Sequence, residues 1–221
     1  MVKVETTKIM DAETRAKAFQ VIKEVYLGEK RWINSVESEI PENIADLDKW
    51  SWFLATVNGK PAGVIRLQYD PSLEIPPEFE FTLKEGVDLT QMIGRSKFVE
   101  IGRFMILPRY RKNIFVALRL MRAASAEVIA RNYSHFITDV FEGEVNSPLK
   151  FHTRILGFEV VGHHLHGELN CRLTRIILTL DILKAYKRLK RNRNRISRFL
   201  TEGIPDMAEA KFSMKAAGRV G

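Results

Sequence analysis

Cysteine and long apolar segments are nearly missing from this 221-residue sequence. The single cysteine, Cys171, excludes an internal disulfide framework and indicates a reducing compartment. No apolar run approaches the roughly 18 residues of a membrane-spanning helix, and the amino-terminal residues lack the apolar centre of a signal peptide. We therefore predict a cytoplasmic protein, and its 45% apolar composition is ample for a packed core.

Acidic residues are scarce in two parts of the chain. Residues 103–131 carry seven basic residues and one acidic residue, and residues 184–221 carry eleven basic and three acidic residues. The rest of the chain is slightly acidic, so the last segment alone accounts for the net charge of +8. We predict one domain over residues 1–183, followed by a basic, helical extension over residues 184–221.

The middle of the chain predicts a strand, a sharp turn and a helix. Phe98–Leu107 has the composition of a buried strand, yet it contains Glu100 and Arg103, and buried charges are costly without partners. Pro108 ends the strand because it has no N–H group. The helix that opens near Asn113 presents unpaired N–H groups, which favour anions. A carboxylate and an anion-binding helix end are thus predicted side by side, unless Glu100 and Arg103 form a purely structural ion pair.

Other elements follow from local signals. Asn58-Gly59 is a strong hairpin signal between two strands, Asp11 suits the start of a helix, and Pro148 suits the start of another. The predicted strands, besides the one above, are Trp50–Val57, Ala62–Tyr69, His135–Phe141 and Leu173–Leu180, and a helix is predicted over residues 113–132. Residues 70–97 form a long apolar insert, which either covers an apolar tunnel or packs irregularly on the sheet.

These features resemble the GCN5-related N-acyltransferase (GNAT) superfamily. The segment Glu100-Ile101-Gly102-Arg103-Phe104-Met105-Ile106 is similar to one branch of it, the acyl-homoserine-lactone autoinducer synthases and the long-chain N-acyl amino acid synthases. The supporting matches are Arg15 with Phe19, Trp32 before an acidic stretch, Gly63 to Leu67 on a strand, and Ile155 to Gly162. The resemblance covers residues 15–180. It implies an α/β (α+β) acyltransferase fold, with a central, mixed, mostly antiparallel twisted sheet flanked by helices.

The resemblance also implies an enzyme. The expected reaction moves a long-chain acyl group from an acyl carrier protein thioester to the amine of an amino acid or related small molecule, with no permanently bound cofactor. Three alternatives stay open: an autoinducer synthase using S-adenosylmethionine, an acetyl-CoA-dependent acetyltransferase, and a non-enzymatic basic adaptor. The acidic stretch after Trp32 matches autoinducer synthases poorly, which favours an amino acid acceptor.

The donor-binding residues are expected where the central strand turns into the helix. They are Ile106, Leu107, Arg109, Arg111, Lys112, Asn113 and Ile114. Acetyl-CoA users have small residues where this chain has Ile114 and Val116, and bulky side chains hinder a close approach of backbone to pyrophosphate. The single phosphate of a carrier-bound acyl-phosphopantetheine therefore suits the turn better than acyl-CoA does. Its basic charge would also steer an acidic carrier protein.

The catalytic residues are expected on the central strand. Glu100 would deprotonate the amine, directly or through a water, and Arg103 would orient Glu100 or the donor. A bulge near Gly102 would free a backbone N–H group to polarise the thioester carbonyl. The superfamily's usual tyrosine, four residues before Gly157, is Thr153 here. That change leaves His152, a water or direct thiolate release for the departing sulfur.

The acceptor-binding residues are expected to be Arg15, Trp32 and Arg66. Arg66 would either hold an acceptor carboxylate or pair with an acid such as Glu100. No metal site is expected, because His164 and His166 share a strand face without a third ligand. No nucleic acid partner is expected. The basic extension would be solvated, dock the carrier protein or contact an anionic membrane surface.

Overall fold

The computed structural model describes residues 2–36, 48–72, 81–88, 91–92, 96–165, 169–192, 194–202 and 204. The strands in these ranges are β1 (Val4–Lys8), β2 (Trp50–Val57), β3 (Lys60–Tyr69), β4 (Thr82–Leu83), β5 (Phe98–Ile106), β6 (His135–Phe141), β7 (Glu159–His164) and β8 (Arg175–Asp181). They form one sheet in the order β1-β2-β3-β5-β6-β8-β7-β4. Only β5 and β6 are parallel neighbours, so the sheet is mixed and mostly antiparallel, as the resemblance implied.

Helices cover both faces of this sheet. They are α1 (Ala12–Ile22), the π-helix π1 that continues it (Lys23–Glu29), α2 (Ile114–Ala130), the π-helix π2 (Phe151–Leu156), α3 (Ile182–Arg191) and α4 (Arg195–Thr201), with a 3-10 turn at Pro108–Tyr110. One face packs under α1 and π1, where Ile22 and Val25 meet Leu54 and Met105. The other packs under α2, whose residues include Leu120, fully buried. Burying a leucine contributes about 2 kcal/mol.

The predicted hairpin and helix starts are confirmed. Asn58 and Gly59 both have positive φ, 49° and 79°, which is the backbone of a two-residue hairpin turn. Asp11 Oδ1 accepts a hydrogen bond from the Thr14 N–H over 2.8 Å and begins α1. Asn113 Oδ1 accepts one from the Phe115 N–H over 3.1 Å and begins α2.

The basic extension begins with α3 and α4. Tyr186, Leu200 and Ile204 belong to the apolar core on the α2 side of the sheet. The ring of Phe199 lies between the guanidinium groups of Arg119 and Arg122, which are 5.1 and 5.2 Å from its centroid. The change in composition at residue 184 therefore does not coincide with a gap in the packing. The division into a domain and an extension stays a prediction.

The long apolar insert is described only in part. Phe81, Val87 and Met92 pack against a small cluster that includes Phe98 and Ile137 on the sheet. These side chains match the interpretation of an irregular segment packed on the sheet. The other apolar residues of a tunnel cover, Phe79 among them, lie outside the described residues, as does the acidic stretch from residue 37 to 47. No helix within the described ranges is both long and apolar enough to cross a membrane.

Candidate active site

The site forms where β5 and β6 separate. Their parallel pairing covers only three positions, the last of which joins Glu100 to Ile137. One residue further on, the Thr138 hydroxyl donates to the Ile101 carbonyl over 2.8 Å, in place of a strand-to-strand backbone bond. Beyond this point the strands diverge, and a cavity of about 1070 Å³ lies between them. The sheet itself therefore opens to make the site.

Glu100 stands at the point of separation and is held by Arg66. Arg66 Nη2 donates to Glu100 Oε1 over 3.1 Å, and both residues line the cavity. The guanidinium of Arg66 lies directly over Gly102, where a Cβ atom would come within 2.7 Å of Nη2. Gly102 therefore leaves the space that this ion pair needs. Of the two roles expected for Arg66, the structure shows the pairing with Glu100.

A bulge follows on β5, as predicted. Between Arg66 and Val64 on β3 the partner register moves from Gly102 to Met105, so β5 carries one extra residue. Arg103 has a φ of 49°, which is unusual for a residue with a side chain. Its guanidinium lies 5.6 Å from the ring centroid of Tyr26 on π1. The bulge thus turns Arg103 toward the amino-terminal helix and bends the strand beside the cavity.

The helix π2 brings His152 to the cavity in place of Thr153. The Gly157 N–H donates to the His152 carbonyl over 2.8 Å, an i to i+5 bond that adds one residue to the turn. Because this turn contains one extra residue, His152, five positions before Gly157, occupies the place that Thr153 would occupy in an α-helix. The Thr153 hydroxyl instead donates to the Leu149 carbonyl over 2.8 Å. Thr153 is therefore tied to its own helix, and His152 lines the cavity.

His152 is almost fully buried among aromatic rings. The rings of Phe104, Phe151 and Phe158 lie 5.5, 5.8 and 4.9 Å from it, centroid to centroid. Neither ring nitrogen has a hydrogen-bond partner in the part of the chain that the structure describes. Burial lowers the pKa of His152 from 6.5 to about 3, because the charged imidazolium loses its hydration. The ring is therefore neutral at physiological pH.

A second polar group lies further along the cavity wall, on β6, β7 and β8. Arg175 Nη1 donates to Asp139 Oδ2 over 2.7 Å, and His164 Nε2 lies 3.6 Å from the same oxygen. Burial alone would raise the pKa of Asp139, but the contacts from His164 and Arg175 hold that pKa below its ordinary value. Sequence reasoning missed Asp139 and Arg175. Their signal was the same as that of Glu100, a charge in an apolar strand.

The amino-terminal helices close the cavity on one side. Trp32 packs against Tyr26 and Phe141, with ring centroids 5.4 and 4.3 Å away, and all three line the cavity. Arg15 lies on α1 with its guanidinium 5.2 Å from the ring of Phe19, away from the residues that line the cavity. The structure thus brings Trp32 to the candidate acceptor region and leaves Arg15 outside it.

The predicted donor residues divide into two groups. Ile106, Arg111, Asn113 and Ile114 line the cavity, whereas Leu107, Arg109 and Lys112 do not. Leu107 is fully buried in the core beneath α1, so its side chain is packing. Val116 is fully buried too and points into the core, so its bulk is no obstacle to a donor. Of these two bulky residues, Ile114, which is 37% exposed, is therefore the one that would hinder the approach of a pyrophosphate.

Two of the basic residues in the turn have acidic partners on π1. Arg109 Nη1 donates to Glu24 Oε2 over 2.5 Å, and Arg111 Nη1 donates to Glu29 Oε1 over 2.8 Å. These bonds lower the pKa values of Glu24 and Glu29. Arg111 Nε also donates to the Ile106 carbonyl over 3.0 Å, which fixes the turn after β5. Lys112 remains exposed beside them.

The described residues contain no group of three histidine, cysteine, aspartate or glutamate side chains that could hold a metal ion. His166, one of the three clustered histidines, lies outside the described residues. The cavity thus presents Glu100 with Arg66, the neutral His152, and the group formed by Asp139, His164 and Arg175. An ion pair of Lys30 with Glu144 also lies on its wall.

Comparison with known proteins agrees with this geometry. Residues 17–173 match the family model of the N-acyl amino acid synthase FeeM. None of the curated proteins compared with the sequence matches it. Among solved structures, FeeM from uncultured soil microbes is similar, with 14% identity and a TM-score of 0.61, over 85% of this chain and 94% of that one.

Two acetyltransferases have the same fold. A putative GNAT acetyltransferase from Desulfovibrio desulfuricans is 11% identical, with a TM-score of 0.54 over 81% of this chain and 99% of that one. An N-acetyltransferase from Staphylococcus aureus is 11% identical, with a TM-score of 0.54 over 82% and 99%. At such identities these likenesses show the fold alone, whereas the family model covers most of the sequence. The chain thus has the fold of the GNAT acetyltransferases and belongs to the N-acyl amino acid synthase family, whose members are acyltransferases.

Proposed function

We propose that this enzyme transfers a long-chain acyl group from an acyl carrier protein thioester to the amine of an amino acid. The observation that carries the proposal is the position of Glu100. It is the last residue of β5 that pairs with β6 before these two strands separate, and it lines a cavity of about 1070 Å³. A carboxylate at the point where donor and acceptor can meet suits the deprotonation of an amine.

The reaction follows from the residues around the opening. Glu100 accepts a proton from the acceptor ammonium, directly or through a water, and Arg66 keeps the carboxylate in position. The amine nitrogen then attacks the thioester carbon, and a backbone N–H group of the bulge near Gly102 stabilises the negative oxygen. Collapse breaks the carbon–sulfur bond, and the nitrogen releases its second proton to solvent as the amide forms. The proton held by Glu100 returns to the thiolate through solvent.

His152 takes part as a hydrogen-bond donor. Because its pKa is about 3, the imidazole is neutral near pH 7 and has no extra proton to transfer to the leaving group. Its N–H group can still donate to the thiolate as negative charge develops on sulfur, and a donor in a dry site acts strongly on such charge. This role replaces the tyrosine that many superfamily members have at this place.

Fewer residues support the proposed donor than the sequence alone suggested. Arg109 and Arg111 are paired with glutamates, so Lys112 is the exposed cation of this turn that remains to meet an acidic carrier. Ile114 lies at the helix start on the cavity wall and favours a single phosphate over a pyrophosphate. The reaction would take place in the cytoplasm, and the basic extension would supply any membrane contact.

Reconstitution tests the proposal. The purified protein is given palmitoyl carrier protein, palmitoyl-CoA or acetyl-CoA together with a mixture of amino acids, and the products are analysed by mass spectrometry. We expect N-palmitoyl amino acids, formed fastest from the carrier. Acetylated products alone would instead establish an acetyltransferase, and lactones formed with S-adenosylmethionine would establish an autoinducer synthase. A protein that transfers no acyl group from any donor would contradict the proposal altogether.

A further inference from the structure

We infer that Arg175, beside His164, binds the carboxylate of the acceptor. This inference rests on the proposed function and names the residue that would hold the amino acid. Arg175 is 8% exposed, and its Nη2 has no hydrogen-bond partner among the described residues. His164 Nδ1 is likewise buried and without a partner there. Both residues line the cavity. The buried Arg175 nitrogen is costly without an acceptor, which a ligand carboxylate can supply, whereas Nδ1 of a neutral His164 ring whose Nε2 faces Asp139 offers a lone pair to a ligand donor.

The geometry of Arg175 favours a carboxylate. Asp139 occupies one terminal nitrogen of the guanidinium and fixes its plane, since Nη1 donates to Asp139 Oδ2 over 2.7 Å. Phe141 supports the same group, with its ring centroid 4.8 Å from Cζ. The second terminal nitrogen is thus held in place and left to a ligand. A preorganised guanidinium of this kind is well suited to an anionic oxygen.

The charge of the cavity points the same way. Its lining contains seven lysine and arginine residues and three aspartate and glutamate residues, a net charge of +4 with the histidines neutral. The proposed donor brings one phosphate, and a carboxylate on the acceptor would offset a further positive charge. Arg66 Nε is also buried without a partner among the described residues, but Arg66 is a poorer candidate because its Nη2 is bound to Glu100 and its guanidinium lies against Gly102. Arg175 therefore remains as the carboxylate anchor.

The aromatic residues next to Arg175 indicate which acceptors are suitable for a test. Tyr26, Trp32 and Phe141 form a continuous aromatic surface on the cavity, and Phe141 also contacts Arg175. An acceptor whose carboxylate is bound by Arg175 would lay its side chain near this surface. L-phenylalanine and L-phenylalaninamide are a suitable pair, because they share the amine and the ring and differ only in the carboxylate.

The first experiment uses the unaltered enzyme with palmitoyl carrier protein and measures kcat/KM for the two acceptors. We expect L-phenylalanine to be preferred by roughly 10- to 100-fold, the range for a charge-assisted hydrogen bond left unmade. The amide has the less basic amine, which favours its reaction and so works against the expected result. Equal rates for the two acceptors would overturn the inference while the proposed acyl transfer stood. Failure to acylate either one, or any other amine, would count against the proposed function itself.

The second experiment assigns the preference to a residue. In Arg175→Gln we expect the ratio of kcat/KM between acid and amide to fall to within about threefold. Arg175→Lys keeps the positive charge but loses the planar guanidinium with its paired donors, so it should retain part of the preference for the acid. Arg172→Gln is the matched control, since Arg172 is exposed three residues away. A full preference surviving in correctly folded Arg175→Gln would place the carboxylate elsewhere.

Discussion

Two polar clusters are built into the sheet of this enzyme, and they differ in whether their hydrogen bonds are complete. On the α2 side, Glu127 Oε1 accepts hydrogen bonds from Lys8 Nζ, Arg131 Nε and Ser51 Oγ, over 2.7, 2.9 and 3.2 Å. The Tyr69 hydroxyl donates to Ser51 Oγ over 2.9 Å. This cluster links β1, β2 and β3 to α2.

The cavity cluster is incomplete by comparison. Arg175 Nη2, His164 Nδ1 and both nitrogens of His152 have no partner in the described ranges. Both clusters are partly or wholly removed from water, so the difference lies in unused hydrogen-bonding capacity and not in burial. A saturated cluster contributes to the fold, whereas an unsaturated one at a cavity indicates that a substrate completes it. The predictions below test this distinction.

Replacement of the proposed base should have the largest effect on catalysis. We expect Glu100→Gln to reduce turnover by about a hundredfold or more, because the acceptor amine loses its base. Circular dichroism and the midpoint of urea unfolding should stay close to those of the parent. Activity within a few-fold of the parent at saturating donor would make Glu100 a structural partner of Arg66.

The saturated cluster should behave in the opposite way. We expect Glu127→Ala to lower the free energy of unfolding by about 2 to 3 kcal/mol, because Lys8 and Arg131 lose their shared partner in a partly buried place. Urea unfolding measures this loss. The kcat of the fraction that remains folded should be almost unchanged. A large fall in kcat without loss of stability would remove the distinction between the two clusters.

His152 gives a test with a defined pH dependence. Its pKa is about 3 in the folded enzyme and 6.5 as the ordinary value, so the unfolded chain binds the proton first on acidification. Stability should therefore fall as the pH drops from 6.5 toward 3, by about 1.4 kcal/mol per pH unit from this residue. In His152→Phe this part of the slope should vanish, which unfolding curves at several pH values would show.

The same variant should be a slower enzyme. We expect His152→Phe to reduce kcat by roughly tenfold, since one hydrogen bond to the developing thiolate is lost. A donor thioester with a more acidic thiol needs less help to leave, so such a donor should narrow the gap between variant and parent. If the gap is independent of the leaving thiol, His152 is packing alone.

The smallest effect is expected at the surface proposed to meet the carrier protein. Lys112→Glu should raise the KM for palmitoyl carrier protein several-fold at low salt, and the difference should shrink as salt screens the charge. Lys60→Glu provides the control, because Lys60 is exposed on the hairpin and lies in another part of the sheet. An unchanged KM at low salt would exclude Lys112 from carrier docking.

Local chemistry made much of the fold predictable. The hairpin at Asn58 and Gly59 depends on backbone conformations that few residues adopt, and the start of α2 depends on one side chain at Asn113. The two π-helices were not predictable in this way. Their apolar spacing differs from that of an α-helix by one residue in a turn, and nothing local shows that His152 rather than Thr153 faces inward.

The site was predictable where one strand carried the signal. Glu100, Gly102 and Arg103 were expected at the centre of the site, and all of them line the cavity. Their catalytic roles stay predictions. The pairing of Arg109 with Glu24 joins residues 85 positions apart, which no local pattern reveals. Asp139 and Arg175 meet only because β6 and β8 are neighbours, so their relation required the register of the sheet.

The contact between Arg188 and π2 constrains which residues can occupy positions 157 and 188 in related sequences. Arg188 on α3 donates to the Ile155 carbonyl over 3.0 Å, and its guanidinium occupies the space beside Gly157. A Cβ atom at position 157 would overlap that guanidinium, and Gly157 also has a φ of 89°. The two positions should therefore covary in related chains. Where 157 carries a side chain, arginine should disappear from 188, and the helix that presents His152 should lose its anchor to the basic extension.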